Sequence, residues 1–192
     1  MANICFNKVF ITGSARSLDA LEKAIADKAG EVGVALEALL PPPAGLPYDS
    51  REELFGEFAD ALDGNTDRQY STEYHWRIAF HGTKAVYPGG TRIRIDDNLM
   101  ILEYQSAWAP NLEYWHNVIK ATPRFLDLVV NHRYYEDGLG FIGEAKIDQT
   151  HLINKQKDLT IEHWKQAGAI VMDDEILWES TDNVDLFDAF PV

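Results

Sequence analysis

The sequence predicts an α+β fold in which helices pack on an antiparallel sheet. In the first part of the chain, apolar residues recur mainly at helical spacing, whereas from Lys84 onward they mostly alternate with polar residues. Turn signals such as Pro88-Gly89-Gly90 divide this alternating region into short strands that can pair with their neighbours. We therefore expect the second half to form a four-stranded antiparallel sheet with one helix packed on it.

The first part of the chain is predicted to begin with a strand and continue mainly as helices. Residues 4–12 are rich in strand formers and end at the turn signal Gly13-Ser14. An apolar helical pattern follows until Gly30. After a proline-rich loop, a capping box that begins at Ser50 predicts a second helix, and residues 67–80 predict a third.

The second half is predicted to contain strands on either side of a helix. Strands are expected around Ile93 and Ile95, which alternate with arginines, and over residues 99–104. Pro110 at an expected N1 position starts a helix that runs to Ala121. A hairpin over residues 124–148 completes this half.

The glycines from Gly138 to Gly143 match the G-x-G-x-x-G spacing of a dinucleotide-binding turn. That motif needs a helix directly after it, so that the pyrophosphate rests on the helix N-terminus. The residues after Gly143 alternate between polar and apolar and predict a strand instead. The glycines are therefore assigned to a hairpin turn and its packing, with strands through residues 128–130 and 141–142.

The charge balance argues against a nucleic-acid ligand and suits either a basic partner surface or, as charge alone favours, a plain solvated surface. The chain has 31 acidic and 17 basic residues, a net charge of −14 and a sequence pI of about 4.7. Duplex binding relies on Lys and Arg, so this balance argues against a direct nucleic-acid ligand and suits a basic partner surface. A single cysteine, Cys5, and no apolar run of membrane-spanning length predict a cytoplasmic protein without a membrane partner.

The last 24 residues form a distinct acidic segment, called here the C-terminal segment (residues 169–192). It has seven acidic residues and no Lys or Arg, and apolar residues are interleaved with the carboxylates, a pattern typical of partner-binding segments. The alternative is a terminal strand and tail packed on their own domain. The predicted partner-binding residues are Asp173, Asp174, Glu175, Trp178, Glu179, Asp182, Asp185 and Asp188.

No catalytic, metal or cofactor motif stands out. The six histidines include no i, i+4 pair, and Cys5 lies within a predicted strand, where a buried thiol is expected. Asp96-Asp97 and Glu136-Asp137 sit beside turn signals, which favours local hydrogen bonding over acid–base work, and His132 with Glu136 is the remaining base–orienter candidate. We therefore predict no catalytic residue, metal or cofactor, and a non-enzymatic protein.

Four stretches together resemble a known family. They are residues 1–13, Trp76-Arg77 with residues 81–84, residues 104–110, and residues 134–143, in this order. This combination resembles the YubB-type family of phage and conjugative-plasmid proteins over about residues 1 to 147. The resemblance implies a ferredoxin-like domain in the C-terminal half and a mobile-element origin. Family members carry a second tryptophan after the Gly-Thr-Lys element, whereas this chain has Ala85-Val86-Tyr87.

The expected organisation is an N-terminal α/β region (residues 1–82), a ferredoxin-like domain (83–148), and a C-terminal helix with the acidic tail (149–192). The alternative is one compact domain. Small acidic proteins of mobile elements often occupy basic surfaces of host defence complexes, which predicts a non-enzymatic inhibitor, of anti-CRISPR or anti-restriction type, that acts as a DNA mimic in the bacterial cytoplasm. The alternatives are an accessory enzyme acting on nucleotides and a mobile-element housekeeping protein with an unknown protein partner.

Overall fold

The protein is built on a six-stranded antiparallel sheet. The computed structural model describes residues 3–26, 33–46, 72–169, 171–172, 175–176 and 186–189. In chain order the strands of the sheet are β1 (Ile4–Thr12), β2 (Thr91–Asp96), β3 (Leu99–Ala107), β4 (Val129–Glu136), β5 (Phe141–Ile147) and β6 (Leu152–Asp158). They lie in the order β2-β3-β1-β4-β5-β6, and every neighbouring pair is antiparallel. The predicted α+β class, with helices packed on an antiparallel sheet, is confirmed.

The described helices agree with the apolar periodicity. They are α1 (Ala15–Ala26), α2 (Glu73–His81), α3 (Leu112–Ala121) and α4 (Ile161–Gln166), with short 3-10 turns at Leu36–Ala38, Pro123–Phe125 and Leu186–Ala189. Thr72 accepts a hydrogen bond from the His75 amide to cap α2, and Gly82 ends that helix with φ +74°. The α3 N-cap is Asn111, so Pro110 precedes the helix and is not its first residue as expected. The helix predicted behind Ser50 lies outside the described residues.

The ferredoxin-like unit spans residues 4–136 rather than 83–148. The second half does not form a four-stranded sheet by itself as expected, because β1 from the N-terminal region lies between β3 and β4. The elements β1, α1, β2, β3, α3 and β4 follow one another along the chain, and their strands lie in the order β4-β1-β3-β2. β1 is hydrogen-bonded on both sides, with Ile4 opposite Ala107 and Cys5 opposite Glu136. A boundary at residue 82 separates β1 from both of these partners, so the pairing favours the alternative of one compact domain. The division into three parts stays a prediction.

Helices α1 and α3 cover one face of the sheet and form the main core with it, whereas Trp164 of α4 belongs to a second cluster that packs against Tyr135 on the opposite face. Every second residue of β1, from Cys5 to Ile11, is buried on this face. Cys5, Val9 and Ile11 join one cluster with the apolar faces of α1 and α3, including Leu18 and Trp115, both fully buried. The Trp115 indole donates to the Tyr104 hydroxyl at 2.9 Å. Since unpaired polar groups are costly in a core, this bond fixes the position of α3 on β3.

The glycine-rich stretch is the β4–β5 hairpin, as predicted. Glu136 is paired with Phe141 at the end of the ladder, and its carboxylate accepts from the Leu139 amide within the turn. Gly140 has φ +72°, a backbone conformation that favours glycine. Gly143 lies in β5 opposite Tyr134, whose ring occupies the space where a side chain would be. The dinucleotide-binding interpretation of this stretch is therefore excluded by its strand–turn–strand structure.

Candidate functional site

The face of the sheet opposite α1 and α3 carries aromatic and basic side chains, and we call it the open face. Successive strand residues point to opposite faces, so the register places Phe10 of β1, Arg133 of β4 and Lys155 of β6 on this side. The open-face side chains that matter below are Phe6, Lys8, Phe10, Leu99, Glu103, Arg133, Tyr135, Glu144, Lys146, Ile153, Lys155 and Lys157.

One end of the open face forms a groove, called here the sheet groove. Its cavity volume is about 670 Å³. Its lining includes Phe10, Leu99 and Ile153 and the basic residues Arg133, Lys146 and Lys155. The Arg133 guanidinium lies 5.5 Å from the centroid of the Phe10 ring, within cation–π range. Apolar surface and positive charge are thus combined at one place.

The edge strand β2 presents its apolar side chains to the open face. Ile93 and Ile95 are 49% and 52% exposed. Arg92 and Arg94 instead point toward α1, and the Arg92 Nε lies 3.4 Å from Glu22. Arg92 also donates to the Gly33 carbonyl at 3.1 Å. The usual arrangement, with aliphatic residues toward the helices, is therefore reversed on this strand, which adds apolar surface to the open face.

The other end of the open face is covered by part of the C-terminal segment. Phe6 and Tyr135 stack with their ring centroids 4.8 Å apart, and Phe187 packs edge-on against Tyr135 at 5.2 Å. The Lys8 ammonium lies 5.5 Å from the Phe187 ring and 3.0 Å from Glu103. Leu186 is fully buried, in a second, smaller core cluster with Trp164 and Ala169.

The C-terminal segment is therefore packed on its own domain at Leu186 and Phe187, as its packed-tail alternative expected for that part. Among the predicted partner-binding residues, Asp188 lies in this 3-10 turn and Glu175 in the short strand β8 (Glu175–Ile176), which pairs with β7 (Val171–Met172). The other six lie outside the described residues. They are Asp173, Asp174, Trp178, Glu179, Asp182 and Asp185. Their role in binding stays a prediction.

A polar cluster in the core brings together residue types that catalyse reactions elsewhere. The Asn7 amide donates to the Ser106 hydroxyl at 2.9 Å, and its oxygen lies 2.9 Å from His132 Nε2. Cys5 adjoins this cluster. All four residues are at most 1% exposed. Burial lowers the pKa of His132 to about 3 and raises the pKa of the Cys5 thiol.

These shifts describe a structural cluster rather than a reactive one. A thiol or hydroxyl nucleophile needs a base in hydrogen-bond contact and access for the substrate. Asn7 stands between His132 and Ser106, and none of these side chains reaches the surface. This is the environment expected of a polar network that fixes the packing of β1 against β3 and β4.

Asp96 and Glu136, two of the carboxylates considered in the sequence for acid–base work, accept hydrogen bonds from backbone amides of their own turns. Asp96 accepts from the Asn98 amide at 2.7 Å, and Glu136 accepts from the Leu139 amide. The hydrogen-bond partner of His132 among the described residues is Asn7 and not Glu136. Among the described residues, no group of three or more His, Cys, Asp or Glu side chains is placed to hold a metal ion.

Sequence reasoning missed the sheet groove. Its basic residues lie on three strands, at positions 133, 146 and 155, and no linear motif joins them. The stretch that forms β6 was not predicted as a strand, although the alternation of Lys155 and Lys157 with polar residues is a local signal typical of a charged edge strand.

Comparisons with known proteins give little further guidance. No protein-family model matches the chain, and no curated protein matches it. The chain is similar in structure to the crystal structure of a protein api92 from Yersinia pseudotuberculosis, of family DUF1281. It is 12% identical with a TM-score of 0.49, and the match covers 82% of this chain and 98% of that chain. Within the part of the chain that the structure describes, no helix has the length and apolar character needed to cross a bilayer.

Proposed function

We propose that the chain is a non-enzymatic binding protein that uses its acidic segments to occupy a basic, nucleic-acid-binding surface of a host defence complex. The observation that carries this proposal is the separation of charge along the chain. Residues 72–169, which provide five of the six strands, have 11 basic and 12 acidic residues. Residues 47–71 have seven acidic and two basic residues, and the C-terminal segment has seven acidic and none.

Such a separation suits binding by charge complementarity. Concentrated carboxylates raise the rate at which a chain meets a basic surface, and they resemble the repeated charges of a phosphate backbone. Each exposed ion pair contributes only about 0 to 1 kcal/mol, so a stable complex also needs apolar anchors. Trp178 in the C-terminal segment is the anchor we propose. Phe187 already packs against Tyr135 of its own sheet.

The buried polar cluster supports the non-enzymatic part of the proposal. Cys5 and His132 are the strongest nucleophile and base candidates in the described core, and both are fully buried. Burial disfavours the charged forms of both side chains, so neither the thiolate nor the imidazolium forms near neutral pH in the folded state.

The proposal is tested by plating a targeted phage on bacterial strains that each carry one restriction or CRISPR system. Expression of the wild-type chain is expected to restore plating on at least one strain. The triple variant Asp173→Lys, Asp174→Lys and Glu175→Lys is expected to restore it much less. The proposal would be refuted if the wild type restored plating on none of the strains.

A matched control separates local charge from total charge. The triple variant Asp97→Lys, Asp137→Lys and Glu162→Lys changes the net charge by the same amount at exposed positions of the described fold. It is expected to protect the phage as well as the wild type does. Equal loss of protection in both triple variants would show that total charge, rather than the C-terminal segment, is responsible.

A further inference from the structure

We propose that the sheet groove is a binding site for single-stranded nucleic acid. This inference goes beyond the proposed function and does not depend on it, because it rests on the described sheet and not on the acidic segments. The groove provides the two kinds of contact that single strands use, positive charge for the phosphates and flat groups for the bases.

The charge of the groove is positive although the chain is strongly acidic. Arg133, Lys146 and Lys155 line it, with Glu144 as the acidic residue among them. Neither Lys146 nor Lys155 forms a salt bridge with any described residue. Lys155 stands on the edge strand β6, and the three cations therefore span three neighbouring strands, about 10 Å across. The net negative charge belongs to the chain as a whole, and this surface has the opposite sign.

The stacking surface lies beside these cations. Arg133 covers the Phe10 ring at 5.5 Å, and unpaired bases stack on aromatic rings and on guanidinium planes alike. Leu99 and Ile153 supply further apolar lining. At the other end of the open face, Phe187 packs against the stacked rings of Phe6 and Tyr135. Residues 186–189 therefore cover that end and leave the sheet groove uncovered by them.

The shape of the site favours a single strand over a duplex. Sequence contacts to duplex DNA are made by a helix or a two-stranded ribbon that enters the major groove. The sheet groove is instead a shallow face of a broad sheet, which contacts bases only when they are unstacked and turned toward it.

The test is fluorescence anisotropy of the full chain with labelled 15-nucleotide single strands of DNA and of RNA of the same sequence, and with the DNA duplex, at 50 and 200 mM salt. The single strands are expected to bind more tightly than the duplex. In the variant Lys146→Ala/Lys155→Ala, loss of two phosphate contacts should reduce the salt slope by about 1.4, so that the wild-type advantage shrinks about sevenfold between the two salt concentrations.

Two further variants separate the site from general charge and from folding. Lys23→Ala/Lys120→Ala removes two exposed cations from the helix side and should leave the affinity and the salt slope unchanged. Phe10→Leu keeps apolar volume at a half-buried position and removes the ring, and it should weaken binding by about 5- to 150-fold, as for the loss of one stacked base.

The proposal is overturned if neither single strand binds at 50 mM salt, or if the Lys146→Ala/Lys155→Ala variant binds like the wild type. It is also overturned if a synthetic peptide of residues 173–192 binds in the groove and the oligonucleotides do not, because the groove would then be a site for acidic protein segments. A difference between the DNA and RNA strands identifies the natural ligand class.

Discussion

Replacement of Gly143 by alanine tests whether the glycine-rich stretch serves packing, as the hairpin requires. A Cβ at position 143 would lie 2.8 Å from Cε2 of Tyr134, and closer still to its Cζ and hydroxyl oxygen. Ordinary carbon contacts are 3.4 to 4 Å. The Tyr134 ring cannot move aside freely, because it is fully buried and its hydroxyl donates to Asn154 at 2.6 Å.

The expected cost of Gly143→Ala follows from these contacts. Overpacking of a filled core costs about 1 to 3 kcal/mol. Weakening of the Tyr134–Asn154 hydrogen bond adds about 1 kcal/mol. The reduced entropy of the unfolded chain returns about 0.4 to 1 kcal/mol. The net loss is about 2 kcal/mol, equivalent to a melting temperature lower by about 4 to 8 °C for a chain of this length.

The assay is urea denaturation of four proteins that form a double-mutant cycle. These are the wild type, Gly143→Ala, Tyr134→Leu and the double variant. Because the smaller leucine makes room for the new methyl group, the double variant should lose less stability than the sum of the two single variants. Gly140→Ala is a control, since nothing lies within 4 Å of its Cβ position and its cost comes from the positive φ alone. Wild-type stability of Gly143→Ala, or strict additivity in the cycle, would refute the packing argument.

Three other outcomes are expected. Burial lowers the pKa of His132 to about 3 from an ordinary value near 6.5, so the unfolded chain binds the His132 proton before the folded chain does as pH falls. The free energy of unfolding should therefore drop by up to about 1.4 kcal/mol per pH unit between pH 6 and 4. The variant His132→Gln should flatten this drop in denaturation curves, and an unchanged slope would contradict the burial of His132. Cys5 should resist a thiol reagent at pH 8 in the folded protein and react fully in urea, and rapid native labelling would show that the core opens at β1. Leu186→Ala should cost about 2 to 5 kcal/mol in thermal unfolding if residues 186–189 are packed, whereas a loss below about 0.5 kcal/mol would mean that they are free.

The elements of the fold were predictable where the signal is local. The β4–β5 hairpin and helix α3 each follow from periodicity and turn residues within about 25 positions. The place of β1 was not predictable in this way, because Ile4 pairs with Ala107 and Cys5 with Glu136, and no local pattern encodes a pairing over such a separation.

The candidate site was less accessible from the sequence for two physical reasons. Alternation in β2 shows that Ile93 and Arg94 point to opposite faces, but not which face the helices cover, and the interactions of Arg92 and Arg94 with α1 decide it. Net charge, moreover, is a sum over the chain and does not show how charges are distributed over the surface. The negative total therefore gave no indication of a sheet face on which Lys146 and Lys155 lie beside Arg133.

The proposed role of the C-terminal segment is tested most directly by the rate at which the chain associates with whichever defence complex the plating assay identifies. The rate constant for the wild type is expected to be high at 50 mM salt and to fall steeply by 300 mM, and the variant Asp173→Lys, Asp174→Lys and Glu175→Lys should associate slowly with little salt dependence. Trp178→Ala should mainly speed dissociation. If the lysine variant associates as fast as the wild type at 50 mM salt, the acidic segment is not the contact, and the proposed function loses its basis.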